Sequence, residues 1–194
     1  MEKGGLIQAL QERDVTNQTG LVWSDEMKVG LIGQGRRRWC PRGVKLRQKV
    51  QMERECCWLA LAADCEDGRL LVKQIANMKS ESVAVALQDW KSAGVGAIVW
   101  DGAKGHRGPE VRELGVKLIS QPPGSPELNP MERLIEEVRR SIEGTVYGNL
   151  QSKVDAALAA LAELSSDPER LKKLVGWDWI VQAYRSRQQA LAAA

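Results

Sequence analysis

The sequence predicts an α/β fold in which a mixed sheet of about five strands carries helices. Two apolar runs, Cys56 to Asp64 and Gly68 to Ala76, are joined through the residues Cys-Glu-Asp-Gly, which is typical of a β-hairpin. Other short apolar runs alternate with segments whose apolar residues recur at helical spacing. Strands of a hairpin are antiparallel, whereas strands separated by helices are expected to run parallel to the first strand.

The first part of the chain predicts a short helix and then a strand. Residues 1–19 are polar, with Leu6 and Leu10 spaced as on a helix. Gly20 to Trp23 is a short apolar run, which predicts a buried strand, and Ser-Asp-Glu follows it. This strand is therefore expected to deliver Asp25 at its C-terminal end.

The middle of the chain predicts two more strands, each preceded by a helix. A helix begins near Ser80, a suitable N-cap residue, and leads to the strand Val95 to Trp100, which Asp101 follows directly. A short helix from about Pro109 to Leu114 precedes a strand over Val116 to Ser120.

The last part of the chain predicts helices packed on the sheet. One follows a proline-rich loop, an Ala-rich helix covers Leu150 to Leu164, another begins at Asp167-Pro168, and a final one follows. We expect residues 1–148 to form one domain and residues 149–194 a C-terminal helical extension packed on it. The apolar residues on the first and last of these helices are Met131, Leu134, Ile135, Val138, Ile142, Trp177, Trp179, Ile180 and Tyr184.

Composition argues against several classes of protein. The 194 residues are 43% hydrophobic and 27% charged, which is typical of a globular domain. The four cysteines form no C-x-x-C pair and the chain has one histidine, which argues against a zinc site; Cys56 and Cys57 are expected to be buried. The chain shows no signal peptide and no apolar run near the roughly 20 residues of a membrane span, so we expect a reducing cytoplasm.

Asp25 and Asp101 point to a metal site. If the strands that they follow are parallel neighbours, both side chains emerge at the same edge of the sheet, and carboxylate oxygens are the ligands that Mg²⁺ prefers. An aspartate at the end of a strand is also a common turn former. Each residue alone is therefore weak support for a metal site, and the pair is stronger support.

Glu132 is a candidate third carboxylate at the start of the helix after the proline-rich loop. Asn129 is a good N-cap, Pro130 suits the first helical position, and N-x-x-E resembles a capping box. On spacing alone, the capping interpretation is the stronger one. The four prolines between residues 122 and 130 restrict the backbone and fix where the helix begins, which favours a ligand role.

Three segments of the sequence carry a family resemblance. They read WSDEMKVGLIGQGRRRWCPRG, WDGAKGH and PPGSPELNPMERL. Together they resemble the DDE transposases of the mariner-type superfamily, especially its bacterial insertion-sequence branch, over about Trp23 to Ile142. The last segment is the most specific, because its proline framework is similar to the family signature PPYSPELNPIE.

The resemblance implies a ribonuclease-H-like catalytic domain with a carboxylate triad at Asp25, Asp101 and Glu132. It implies two divalent cations, Mg²⁺ or Mn²⁺, held by these residues, and DNA cleavage and strand transfer at transposon ends. Glu127 also matches the motif but belongs to the loop. Alternation along a strand would turn Glu26 away from a site that Asp25 faces.

Two features depart from the family pattern. Gly124 stands where the family usually has an aromatic residue, which is expected to loosen the loop. Thirty residues separate Asp101 from Glu132, a few fewer than is common, so the helix between them is expected to be short. Neither departure removes a carboxylate.

Basic residues and neighbouring ring side chains are the candidates for DNA contacts. One group lies in a basic stretch that runs to about residue 49, for which the alternative is a solvated, charged hairpin. The other lies just after the second aspartate, where the single histidine is either an exposed turn residue or a neighbour of the metals or the DNA. The candidates are Arg36, Arg37, Arg38, Trp39, Lys104, His106 and Arg107.

Three functions stay open at this level. The chain is a transposase catalytic domain, a metal-dependent nuclease of the same fold without strand transfer, or an inactive DNA-binding or oligomerisation remnant. We expect double-stranded DNA as partner and a homodimer on it, in the bacterial cytoplasm at the nucleoid. Family members usually carry a helix-turn-helix module before the first acid; because Asp25 comes too early for one, we expect another chain to supply it or the module to be missing.

Overall fold

The computed structural model describes residues 3–13, 15, 19–33, 39–45, 47 and 49–184. Within them, five strands form one sheet in the order β3-β2-β1-β4-β5. The strands are β1 (Gly20–Gly30), β2 (Cys56–Asp64), β3 (Arg69–Ile75), β4 (Val95–Trp100) and β5 (Lys117–Ser120). The helices are α1 (Lys3–Glu12), α2 (Ser80–Ser92), α3 (Pro109–Arg112), α4 (Pro130–Ile142), α5 (Leu150–Ser165) and α6 (Pro168–Val175). Residues 178–184 are also helical, and short 3₁₀ turns cover Lys104–Arg107 and Pro126–Leu128.

The strand directions are those that the sequence predicts. β1 is antiparallel to β2, and β2 is antiparallel to β3 through the predicted hairpin. β4 is parallel to β1, and β5 is parallel to β4. The mixed five-stranded sheet is thus confirmed, with β1 at its centre and β4 directly beside it.

The two faces of the sheet carry different helices. Alternation along β1 places Trp23 and Met27 in a core cluster with the apolar sides of α4, α5 and α6. Val22, on the other face, packs in a second cluster with α2 and its Trp90. Side chains of β1 at odd positions therefore face the C-terminal helices, and those at even positions face α2 and the turn after β4.

β1 is longer than the sequence predicts. The apolar run ends at Trp23, but the strand continues to Gly30, so Asp25 lies inside it rather than at its end. The reason is that β1 has unequal neighbours. β4 pairs with β1 from Gly20 to Trp23, whereas β2 pairs with it from Trp23 to Gly30, so the polar residues keep backbone partners on one side.

Two smaller predictions were wrong. Lys79, not Ser80, occupies the N-cap position of α2, and the Ser80 hydroxyl donates to Glu110 Oε2 at 2.5 Å. Cys57 is buried as predicted, but Cys56 is exposed. Neighbouring residues of a strand point to opposite sides, so both cysteines cannot occupy the same environment.

The C-terminal helices share the main core with the sheet. Lys153, on α5, is buried, and its Nζ donates to the Gly30 carbonyl at 2.8 Å and to Glu143 Oε1 at 3.0 Å. This cation ties α5 to the end of β1 and to the end of α4. In the part of the chain that the structure describes, no helix is long and apolar enough to cross a bilayer.

The burial of the cysteines predicts their reactivity. Cys40 and Cys56 are exposed, whereas burial raises the pKa of the Cys57 and Cys65 thiols. At pH 8 we expect two thiols to react rapidly with a disulfide reagent in the native protein and four in denaturant, counted by absorbance. Rapid reaction of more than two native thiols would contradict the burial of β2 and of the turn that follows it.

Candidate active site

Asp25 and Asp101 approach each other because β1 and β4 are parallel neighbours. The pairing places Val22 opposite Ile98 and Trp23 opposite Val99. Continued by two residues, this register brings Asp25 level with Asp101, the residue that follows β4. Asp25 also lies on the odd-numbered face of β1, towards α4.

Asp25 is held by two hydrogen bonds. Its Oδ1 accepts from the Glu26 backbone N–H at 2.8 Å, and its Oδ2 accepts from Asn129 Nδ2 at 2.9 Å. Burial raises the pKa of Asp25 to about 7; the Glu26 N–H opposes this rise, and the charges of Glu26, Glu132 and Asp101 add to it. A partly buried carboxylate with three acidic neighbours is a site where a cation would relieve repulsion.

Asp101 is anchored on one oxygen and open on the other side. Its side chain is 57% exposed, and Oδ1 accepts from the Ala103 backbone N–H at 2.9 Å and lies 2.9 Å from His106 Nδ1. The hydrogen bond from His106 is the main reason that the pKa of Asp101 is lowered. Asp101 is therefore ionised and oriented before any ligand arrives.

His106 joins the acids of the two strands. Its ring stacks on Trp100 with centroids 4.1 Å apart, Nδ1 contacts Asp101, and Nε2 lies 3.1 Å from Glu26 Oε1. Burial alone would lower the pKa of His106, but the hydrogen bonds to Asp101 and Glu26 outweigh it and raise the pKa to about 10. The ring is thus an imidazolium at neutral pH, with one N–H for each carboxylate.

Glu26 has a role that the sequence did not suggest. As predicted, it points away from the face that Asp25 occupies, yet its side chain is 4% exposed and pairs with His106. The sequence signal for this role was a charged residue, Glu26, within a strand whose other residues are mostly buried. Because His106 is itself buried, its position favours the interpretation as a neighbour of the acids over a direct DNA contact.

Asn129 caps α4 and contacts the site at the same time. Its Oδ1 accepts from the Met131 backbone N–H at 3.0 Å, which confirms the predicted cap, while its Nδ2 holds Asp25. The Asn129 backbone N–H donates to the Pro126 carbonyl at 2.9 Å, so Glu132 does not complete a capping box with it. Glu132 instead lines the cavity that Asp25 and Asp101 line.

That cavity, of about 330 Å³, is where the three predicted acids meet. The proline-rich loop forms one wall, and Gly124 adopts a φ of 67°, a left-handed conformation that suits glycine. Gln121 also lines the cavity; its Nε2 is buried and has no hydrogen-bond partner among the residues that the structure describes. The cavity is thus lined by carboxylates and by a residue that carries an unsatisfied buried donor.

The donor set fits a hard divalent cation in kind. As the side chains stand, no group of three His, Cys, Asp or Glu residues in the described ranges is arranged to hold a metal ion. Both oxygens of Asp25 and one oxygen of Asp101 accept hydrogen bonds from protein donors. Asp25, Asp101 and Glu132 supply carboxylates from three separate elements, which is the kind of ligand that Mg²⁺ prefers.

The predicted DNA-contacting residues divide into three groups. Arg36, Arg37 and Arg38 lie outside the described residues. Trp39 is fully exposed, and the described residues from 39 to 50 are exposed and form no strand or helix. Lys104 and Arg107 are exposed beside Asp101, and Arg107 lines the cavity of the acids.

Comparison with known families places the site in context. A sequence profile described as DDE superfamily endonuclease matches residues 20–152, which is more than half of the chain. This span contains all three acids and the proline-rich loop. A search of curated protein sequences finds no match.

Solved transposase structures share the fold. The Mos1 transposase paired-end complex with left transposon end is 12% identical with a TM-score of 0.65, covering 97% of this chain and 59% of that chain. The catalytic domain of Mos1 mariner transposase is 12% identical with a TM-score of 0.61, covering 97% and 89%. The mariner Mos1 paired-end complex with Mg is 13% identical with a TM-score of 0.64, covering 97% and 59%.

These matches confirm the ribonuclease-H-like fold class. At 12–13% identity the likeness concerns the fold. The chain spans about 59% of the length of the Mos1 chain in the paired-end complex with left transposon end, and 89% of the length of the Mos1 catalytic domain.

The buried pair of His106 and Glu26 predicts a large cost of substitution. His106→Ala leaves Glu26 buried without its cation, which we expect to cost about 3–5 kcal/mol and to lower Tm by roughly 6–20 °C, measured by calorimetry in EDTA. Lys73→Ala is the control, because it breaks an exposed ion pair with Asp89, worth about 0–1 kcal/mol. Equal, small losses in both variants would show that His106 carries no buried charge.

Proposed function

We propose that this chain, which belongs to the DDE superfamily of endonucleases, is the catalytic domain of a transposase that cleaves DNA at transposon ends and joins them to a target. The observation that carries the proposal is the meeting of Asp25, Asp101 and Glu132 around one cavity. They come from β1, from the end of β4 and from the first turn of α4.

We assign metal binding to the same three carboxylates. Together, Asp25, Asp101 and Glu132 would hold two Mg²⁺ or Mn²⁺ ions. When bound, such ions activate the attacking hydroxyl and stabilise the leaving oxygen of a phosphodiester. The Mos1 complexes solved with Mg and with Mn support this choice of ion.

The residues around the acids have positioning roles in this proposal. Asn129 holds Asp25, and His106, itself held by Glu26, fixes one oxygen of Asp101. The other side of Asp101 stays open to the cavity. Arg107 lines the same cavity and adds positive charge where a polyanion must approach three acids.

A metal-dependent nuclease without strand transfer is the second candidate. Such a nuclease would use the same cavity and the same three acids as the transposase. An inactive remnant is less well supported, because the carboxylates and their hydrogen-bonded supports are all present. Double-stranded DNA, both ends and target, and a second copy of the chain on that DNA are the partners that we propose.

The proposal predicts nicking of plasmid DNA in Mg²⁺ or Mn²⁺ that stops in EDTA. Asp25→Asn, Asp101→Asn and Glu132→Gln should each lower the rate by at least about 100-fold, since each removes a charged metal ligand. Glu127→Gln is the matched control, because this loop glutamate belongs to the same motif but does not line the cavity. An equal loss in the control would place the chemistry elsewhere.

Joining of pre-cleaved DNA ends separates the first two candidates. A labelled duplex with a free 3′-hydroxyl, incubated with target plasmid and Mn²⁺, should give joined products with the wild-type protein and none with Asp101→Asn. Nicking without joined products would favour the nuclease.

Metal binding should also stabilise the fold without any DNA. At ten times Kd, Mg²⁺ or Mn²⁺ should add about 1.4 kcal/mol and raise Tm by roughly 3–6 °C. We expect this shift in the wild-type protein and in Glu127→Gln, and its loss in Asp25→Asn. The same shift in Asp25→Asn would mean that the ions bind outside the cavity of the acids.

A further inference from the structure

A second cavity, of about 590 Å³, lies beside the acids and has a basic lining. Arg13, Arg107, Arg112 and Lys117 all line it, and Asp101 is the acidic residue in its wall. The four cations come from the residue after α1, the turn after β4, α3 and β5. Their convergence from separate parts of the chain makes the cavity a feature of the fold rather than a charged run of sequence.

The basic cavity adjoins the cavity of the acids. Asp101 and Arg107 line both of them. A β-carbon at Gly102 would collide with the Arg107 guanidinium, so glycine at this position lets Arg107 lie over the backbone that follows Asp101. A ligand in one cavity is therefore a direct neighbour of a ligand in the other.

Size and lining restrict what the basic cavity can take. Its volume lies within the range of pockets for small organic ligands, about 300–1,000 Å³, which suits one nucleotide rather than the width of a duplex. Trp100, Val116 and Leu118 supply apolar surface beneath the charged groups. His106 also lines the cavity, but its charge is matched by Asp101 and Glu26. The four remaining cations favour an anion, and apolar surface below suits a sugar-phosphate backbone.

We propose that this basic cavity binds backbone phosphates of the DNA strand next to the phosphate that is cleaved. The inference rests on the proposed function and adds three residues to it, Arg13, Arg112 and Lys117. The physical reason is electrostatic. Three acids repel a polyanion, and cations placed at their border hold the strand where the acids alone would expel it.

The test measures DNA binding rather than cleavage. Arg112→Gln/Lys117→Gln is compared with Lys73→Gln/Lys173→Gln, which removes the same charge from β3, at the opposite edge of the sheet, and from α6. Fluorescence anisotropy of a labelled mixed-sequence 30-mer, as single strand and as duplex, is recorded in EDTA over a range of salt concentrations. Circular dichroism checks that each variant is folded.

Loss of two phosphate contacts should reduce the slope of log K against log salt by about 1.4 for the single strand and about 1.8 for the duplex. The control variant should keep the wild-type slope. If the double variant does not fold, Arg112→Gln alone should reduce the slope by about 0.7–0.9. A wild-type slope in the cavity variant, or an equal change in the control, overturns the inference.

Inorganic phosphate and a mononucleotide form the second arm, read by thermal shift. Suppose that either ligand stabilises the wild type but not the cavity variant, while both proteins show the same slope of log K against log salt for DNA. The cavity then takes free phosphate and the inference fails. Because binding is read in EDTA, the inference and the proposed function fail separately. If the wild-type protein never nicks DNA but the cavity variant shows a reduced slope of log K against log salt, the inference stands and the proposed function fails.

Discussion

The parallel pairing of β1 with β4 is the constraint on which the site depends. It brings two aspartates that are far apart in the sequence to the same level of neighbouring strands. The antiparallel pairing of β1 with β2 keeps the first strand extended beyond the end of β4, so Asp25 sits on a supported strand rather than in a loop. A rigid sheet thus sets the separation of the two acids, and α4 brings the third.

Charge is balanced differently at each acid. Asp25 is partly buried near other carboxylates, and this burial and these charges raise its pKa to about 7. Asp101 has an imidazolium partner, which lowers its pKa, and this cation is shared with Glu26 on the far side of β1. The protein therefore prepares one anion in advance and leaves Asp25 in an environment that favours a cation.

Much of the fold could be predicted because apolar runs and their connections determine strand order. The limits of β4, the hairpin and the buried face of α4 followed from periodicity and capping. The extension of β1 past Trp23 did not, since polar residues remain in a strand when one neighbour continues to pair with them. The burial of Lys153 could not be predicted either, because it depends on a backbone carbonyl and a carboxylate that tertiary packing brings together.

The candidate site, like the fold, could be predicted only in part. The three acids were predicted from two strand ends, the proline-rich loop and the family resemblance, but the residues that hold them were not predicted. Asn129 reads as a helix cap, and Glu26 as a residue turned away from the site, until the structure shows what each contacts. Single-residue patterns carry no information about a partner some 80 or 104 positions away in the chain.

Anomalous scattering from crystals soaked in Mn²⁺ tests the central claim most directly. The account predicts anomalous density between the side chains of Asp25, Asp101 and Glu132, with all three carboxylates within bonding distance of an ion. Two results would contradict the account: density next to the two aspartates with Glu132 out of bonding distance in every copy, or density elsewhere on the surface. Glu132 would then be only a residue of the first turn of α4.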